Sequence, residues 1–258
     1  MLKEMRQELI CNELNKSGVV SIDKLTRQLN ASRSTIRRDI YELGENNLLK
    51  PIRGGAITLS NKTDHPVAQE PSFIERSNND RDEKTRIAHA ARKLISPNET
   101  LILAGGTTVN ELCKTLNDCD PLYVVATDMM NAMQIASFPN IDLIVLGGSV
   151  RKKHYNMIGY FAESMISQIH ADKAFLGVDA VDFKLGFMNF SSEEIAVNKL
   201  IIKASTQNIV LCDHTKFNAI ALANICSFSD VDTVITGVET DPKHVAFLEE
   251  KGIRVILA

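Results

Sequence analysis

Apolar residues recur at three- and four-residue spacings through residues 2–16, at Leu2, Met5, Leu9, Ile10 and Leu14, which is the period of an amphipathic helix. Gly18 ends that pattern. Ser21 then stands as an N-cap before Ile22, Leu25 and Leu29, which share one face of a second helix. Asn30, which tolerates a left-handed backbone, and Ala31 form a short turn. Ser32 caps a third helix, in which Ile36, Ile40 and Leu43 fall at i, i+4 and i+7. "NLLKPIRGGAITL" follows, two short β-like runs around Pro51 and Gly54-Gly55. Helix, helix, turn, helix and hairpin are the order of a winged helix-turn-helix.

Residues 59–80 are polar and aperiodic, with two prolines, and read as a linker. Helical spacing resumes in "RDEKTRIAHAARKLI" through Ile87, Ala91, Leu94 and Ile95. From Thr100 the pattern alternates. Strand-like runs are "TLILA", "LYVVAT", "IDLIVLG", "KAFLGV", "NIVLCD", "VDTVIT" and "IRVILA", with helix-like runs between most of them. Alternation of this kind predicts a mainly parallel sheet covered on both faces. The expected organisation is a winged helix-turn-helix over 1–58, a linker over 59–80 and a larger α/β domain over 81–258.

Composition narrows the class. The 258 residues are 44% hydrophobic and 24% charged, enough for real cores in two ordinary domains. No run approaches the ~20 apolar residues of a spanning helix. The first residues carry charges throughout and no apolar h-region, so a cytoplasmic protein with no membrane partner is expected. Cys11, Cys113, Cys119, Cys212 and Cys226 form no CxxC pair and no His-Cys cluster. Their odd number argues against a disulfide framework, and no metal site is expected. The net charge of −3 hides an asymmetry: residues 1–58 carry ten Lys/Arg against seven Asp/Glu, the remainder 19 against 25. A basic head on an acidic body points to an anionic partner for the head alone.

The third helix carries that partner's chemistry. Its apolar stripe faces inward, which leaves Arg33, Ser34, Arg37 and Arg38 off the stripe near the N-terminal half. Arginines fork onto guanine edges or phosphates, and the hydroxyls of Ser32, Ser34 and Thr35 reach phosphates or bases. Lys50 and Arg53 add charge on the hairpin. These eight residues are the candidate contacts to double-stranded DNA.

In an open α/β sheet, ligands bind beyond the carboxyl ends of the strands. Gly105-Gly106-Thr107-Thr108 follows the first strand and opens a helix, a combination that suits one phosphate. Asp128 follows the second strand. Gly147-Gly148-Ser149 and the basic residues Arg151, Lys152 and Lys153 follow the third. Asp179 and Asp182 follow the fourth, and Asp213, His214, Thr215 and Lys216 the fifth. Gly105, Gly106, Thr107, Thr108, Asp128, Gly148, Arg151, Asp179 and Lys216 are therefore candidates for a pocket that takes a small polyhydroxy phosphate. Glu193 and Glu194 begin a helix and read as partners of its dipole. Neither GxGxxG nor GK[ST] is present, so no nucleotide cofactor is expected.

Ser32, Thr35-Ile36-Arg37-Arg38-Asp39 and Arg53-Gly54-Gly55-Ala56 resemble the signature of the DeoR family of bacterial transcription regulators. The resemblance continues over residues 73–258, through "FIER", "EKTRIAHAA", "GGTT", "VLGGSVRK", "IGYFAE", "DKAFLGVDAVD" and "DHTKF". It implies a cytoplasmic DNA-binding regulator, usually a repressor of sugar or polyol genes, released from its operator by a phosphorylated metabolite. It implies a sensor fold similar to ribose-5-phosphate isomerase, self-association through that domain, and an effector site lined by Gly106, Thr107, Thr108, Asp179 and Lys216. The sequence departs from the family pattern at four points. Arg53 replaces the wing histidine, Pro51 an arginine, Ala104-Gly105 an Asp-Ser pair, and Asp128 an asparagine. "GFMNF" and "DHTKF" look most like the glycerol-3-phosphate regulator subgroup.

Alternatives stay open on the sequence: an activator of the same family, a sugar-phosphate isomerase with a DNA-binding head, or a metabolite-binding module whose head binds protein. Aldose–ketose isomerisation needs a carboxylate base. Aligned with the isomerases, this chain has Asn198 where their glutamate stands, although Asp179, Asp182 and Glu193 remain as carboxylates.

Overall fold

The computed structural model describes residues 3–17, 19–29, 31–45, 48–52, 54–57, 70–217 and 219–258. The chain divides into two compact units between residues 66 and 67.

The first unit contains α1 (Lys3–Ser17), β1 (Val19–Ser21), α2 (Ile22–Leu29), α3 (Arg33–Glu45), β2 (Lys50–Ile52) and β3 (Gly55–Ile57). Ile10, Leu14, Leu25, Ile36, Ile40, Leu43 and Leu49 form its core, so the predicted stripes of all three helices meet. The caps form as the sequence predicts. Ser21 Oγ accepts from Lys24 N at 3.2 Å, and Ser32 Oγ accepts from Thr35 N at 3.1 Å. The expected hairpin gains a third strand. β1 pairs antiparallel with β3, with Val20 opposite Ala56, giving the order β1-β3-β2. Three residues are too few to show a period, so only the pairing reveals this strand. Asn30 and Arg53 lie outside the described residues.

Asp39 is the one charged residue of α3 turned to the core, 2% exposed. Both its oxygens bond Arg6 of α1, at 2.5 Å from Nε and 3.1 Å from Nη2. The last residue of the Thr-Ile-Arg-Arg-Asp run therefore braces the recognition helix rather than facing a ligand.

The second unit begins with α4 (Phe73–Asn78) and α5 (Arg81–Arg92). It continues with β4 (Thr100–Leu103), α6 (Thr107–Lys114), β5 (Leu122–Ala126), α7 (Met129–Ile135) and β6 (Ile141–Val145). Next come the two-stranded β7 (Ser149–Val150) and β8 (Met157–Ile158), α8 (Tyr160–Ile166) and β9 (Ala171–Gly177). β10 (Ala180–Asp182), β11 (Gly186–Asn189), α9 (Ser192–Ala204) and β12 (Ser205–Leu211) follow. The unit closes with β13 (Ala223–Cys226), β14 (Thr233–Thr236), α10 (Pro242–Glu250) and β15 (Arg254–Leu257). The seven predicted strands form one parallel sheet in the order β15-β14-β12-β9-β4-β5-β6. Apolar side chains pack on both faces: Leu101, Leu103, Leu112 and Phe175 on one, Ile102, Ala174, Leu176 and Ile201 on the other. Residues on successive positions of β4 and β9 thus serve opposite layers.

Two small sheets and one segment depart from the expected elements. β10, β11 and β13 form a separate antiparallel sheet, and β7 pairs with β8. Residues 70–80, expected as linker, are built into this unit. Ser72 and Glu75 close a capping box, with Ser72 Oγ accepting from Glu75 N at 3.3 Å and Ser72 N donating to Glu75 at 2.8 Å. Phe73 is buried and its amide bonds Lys153 O at 2.9 Å. The two prolines and the lack of periodicity concealed a helix of six residues, too short to show a stripe.

Asp39→Ala should destabilise the first unit by about 3 kcal/mol, because it leaves the part-buried Arg6 without its main carboxylate. Hydrogen exchange of α1 and α3 in the full chain measures this. Unchanged protection would show that the ion pair contributes nothing.

Candidate functional site

On the first unit, the buried stripe of α3 fixes what the rest of the helix presents. Ser32, Arg33, Ser34, Arg37, Arg38 and Lys50 are exposed and Thr35 half-buried. The first turn of α3 carries no acidic residue, so nothing local opposes an approaching phosphate. Ser32 Oγ lies 2.8 Å from both Ser34 Oγ and Thr35 Oγ1, a hydroxyl cluster at the helix start. Every predicted DNA contact within the described residues lies on this surface or on the adjoining strand β2.

On the second unit, β4, β9 and β12 end side by side, and their following turns enclose a cavity of about 30 Å³. Gly105, Gly106, Thr107 and Thr108 supply one wall, with Gly106 at φ +137°, a conformation that glycine adopts freely. Asp179 and Lys216 supply others. Six of the nine predicted effector residues thus share one cavity. Lys216 Nζ stands 3.7 Å from Asp213 Oδ2 and is free to reach an anion as well. Asp213 itself is buried and caps the turn His214–Lys216 by accepting from Thr215 N at 3.1 Å.

Three predicted residues are placed otherwise. Asp128 is fully buried and does not line the cavity. Its Oδ1 accepts from Asn131 N at 2.8 Å, capping α7. Asn131 in turn donates to Ala104 O at 2.9 Å and accepts from Asn110 at 3.1 Å. Asp128 therefore braces the end of β4 from behind. Gly148 serves packing, since a Cβ there would lie 2.8 Å from Ile158 O. Arg151 lies behind the wall. It bonds Glu70 through Nη1 at 3.0 Å and through Nη2, and bonds Glu194 at 2.8 Å.

The cavity also contains residues that sequence reasoning did not select: Arg76, Asn156, Asn189 and Glu194. Arg76 Nη1 donates to Asp179 Oδ1 at 2.7 Å. Asp179 Oδ2 accepts from Phe190 N at 3.0 Å, which fixes the carboxylate. Glu194 is more than a dipole partner. It is buried, paired with Arg151, and its carboxyl is pushed up to about 7 by burial, which Arg151 offsets only in part. The Ser72…Glu75 spacing was a readable signal for the helix that carries Arg76. Asn156 and Asn189 gave none, because they arrive from a loop and a short strand of the second sheet.

An arginine-faced helix-turn-helix and an α/β unit with a polar cavity at its carboxyl edge define a DNA-binding transcription regulator with a separate sensor. The comparisons agree. The DeoR-like helix-turn-helix domain matches residues 6–62 and the DeoR C terminal sensor domain matches residues 79–238, so the chain belongs to the DeoR family. The HTH-type transcriptional regulator GolR of Listeria innocua is 28% identical over 253 residues, covering 98% of both chains. The glycerol-3-phosphate regulon repressor of Haemophilus influenzae is 28% identical over 257 residues, covering 100% of this chain and 98% of the relative. Among solved structures, ribose 5-phosphate isomerase A of Methanocaldococcus jannaschii aligns over 54% of this chain and 55% of its own, at 18% identity and a TM-score of 0.40. Among the described residues, no helix is long and apolar enough to cross a membrane.

Burial pushes the Asp128 carboxyl up to about 7. A folded-state pKa above the unfolded one gives stability that is full below the unfolded value, ~4 for Asp, and lost as pH rises through the folded value. Asp128→Asn keeps a capping side chain without the charge. It should therefore stabilise the sensor unit at pH 8 by ~1–3 kcal/mol and have little effect at pH 4.5. Thermal unfolding at the two pH values tests this, and an equal effect at both would refute the assignment.

Proposed function

We propose that this regulator represses carbohydrate or polyol genes and is released from its operator by a phosphorylated sugar or polyol bound in the cavity of the second unit. The observation that carries the reading is the composition of that cavity. Gly106, Thr107 and Thr108 offer backbone and hydroxyl donors at the start of α6, and Lys216 adds a cation, a set suited to a phosphate. Asp179, Asn189 and Glu194 offer acceptors for hydroxyls around it. The name of the Haemophilus relative, a glycerol-3-phosphate regulon repressor, is in keeping with such a ligand.

Operator recognition is assigned to Ser32 before α3, to Arg33, Ser34, Thr35, Arg37 and Arg38 on it, to Lys50 on β2, and to Arg53, which lies outside the described residues. The chain acts as a homo-oligomer through its sensor unit. Edge strand β6 supports this, because it exposes Ile144 and Val145 at 50% and 40%, and an apolar sheet edge is commonly covered. An isomerase role is not proposed: the relatives are named as transcriptional regulators, and the position aligned with the isomerases' glutamate is the amide Asn198, although Asp179 and Glu194 stand in the cavity as carboxylates.

Arg37→Ala should weaken binding to operator DNA, selected from a random pool by the parent protein, by about 10-fold or more at physiological salt. Unchanged gel-shift affinity in a folded variant would refute the role of α3. Lys216→Ala should leave that affinity intact and raise by about 10-fold the concentration of releasing effector, identified by a thermal-shift screen of sugar and polyol phosphates. Release at the parent concentration would show that the cavity is not the effector site.

A further inference from the structure

The cavity at the carboxyl edge is too small for the ligand assigned to it. Its 30 Å³ is about one water's share of liquid volume, whereas sites for small organic ligands span ~300–1,000 Å³. A cleft of about 340 Å³ lies against it, lined by Pro71, Asn79, Lys84, Phe190 and Asp213 among others. Arg76, Asp179 and Lys216 line both spaces. The Arg76–Asp179 ion pair is therefore part of the partition between them.

The two partners differ in how firmly they are held. Asp179 is fixed: one oxygen takes the Phe190 amide, and its own amide donates to Met188 O at 3.0 Å. The main chain of Arg76 is fixed too, since Lys84 Nζ donates to Arg76 O at 2.6 Å and to Asn79 O at 2.5 Å. The guanidinium is not saturated. Nη1 bonds Asp179, Nη2 lies 3.4 Å from His154 Nδ1, and the buried Nε has no hydrogen-bond partner among the described residues. An arginine carries five donors in a planar fork suited to a phosphate. Here its one short bond goes to a single carboxylate oxygen, with the His154 ring at 3.4 Å and Glu70 at 3.7 Å farther off.

We propose that the Arg76–Asp179 pair is a gate joining these two spaces, and that Arg76 is a ligand of the effector's phosphate. This rests on the proposed function, in which a phosphate monoester enters this cavity. On entry the guanidinium leaves Asp179 for the phosphate, its side chain turning about an anchored α4. The partition opens, the spaces merge, and Asp179 becomes an acceptor for a hydroxyl. The exchange also alters the surroundings of Glu70, which lies 3.7 Å from Arg76 Nη1 and is held by Arg151 and by His154 Nδ1 at 3.1 Å. Residues 70–79 thus report the state of the gate.

The test uses the full chain and inorganic phosphate as probe, at matched ionic strength with sodium chloride, reading the saturable rise in thermal stability. Arg76→Gln is expected to weaken phosphate binding by about 10-fold. Asp179→Asn, which keeps its shape but releases the arginine, is expected to tighten it by about fivefold or more. In the double variant that gain is expected to vanish, because the carboxylate acts by occupying Arg76. Amide exchange at residues 70–79 is expected to change with phosphate in the parent and not in Arg76→Gln. Should Arg76→Gln perturb folding, Arg76→Lys gives the same comparison with the charge kept and the fork lost. The gate is overturned if Asp179→Asn weakens binding, or if it tightens binding equally with and without Arg76. If those results come while Lys216→Ala weakens phosphate binding by about 10-fold, the cavity reading stands without the gate. If phosphate stabilises no protein in the set, or Lys216→Ala binds it like the parent, the cavity reading fails with it.

Discussion

Parallel strands impose the constraint on which the sensor unit depends. When neighbouring strands run the same way, each must leave the sheet at the same edge, and the chain must turn there before a helix can carry it back. β4, β9 and β12 are adjacent, so the turns after them converge although they are far apart in sequence. Gly106, Asp179 and Lys216 meet for that reason. The turn after β5 shares the edge, but its carboxylate, Asp128, points inward as a helix cap. Among the turns that follow the parallel strands, side-chain direction decides which residues enter the cavity.

Charge then shapes the cavity. Each of its carboxylates is met by an arginine: Asp179 by Arg76 and Glu194 by Arg151. Glu70 joins the two arginines from the segment that leads into α4. Buried ion pairs contribute little net stability because desolvation offsets their attraction, but removing one partner is costly. Such pairs specify arrangement more than they add stability. An anion that competes for one arginine therefore acts on the whole set.

The helix-turn-helix unit divides its labour within one helix. Ile36, Ile40 and Leu43 seat α3 in the core, and Asp39 ties it to α1. The remaining face is left to Arg33, Arg37 and Arg38. Within the Thr-Ile-Arg-Arg-Asp run, adjacent residues therefore serve opposite purposes, Arg37 and Arg38 outward and Ile36 and Asp39 inward.

Periodicity alone determined much of this protein. The seven strands of the parallel sheet, the three helices of the head and the caps at Ser21 and Ser32 are local patterns, written in residues a few positions apart. The glycine and threonine turn after β4 was legible for the same reason, as were Asp179 and Lys216 once strand ends were known to converge. Tertiary structure decided what depends on distant partners. β1 exists because Ala56 lies opposite Val20, and Arg76 joins Asp179 because a helix hidden in an apparent linker packs beside the sheet. Glu194 became a cavity residue through Arg151, and Asp128 left the cavity because Asn131 took its carboxylate. Local spacing encodes which element forms. Which side chains face one another across a site depends on pairings that no single stretch of sequence contains.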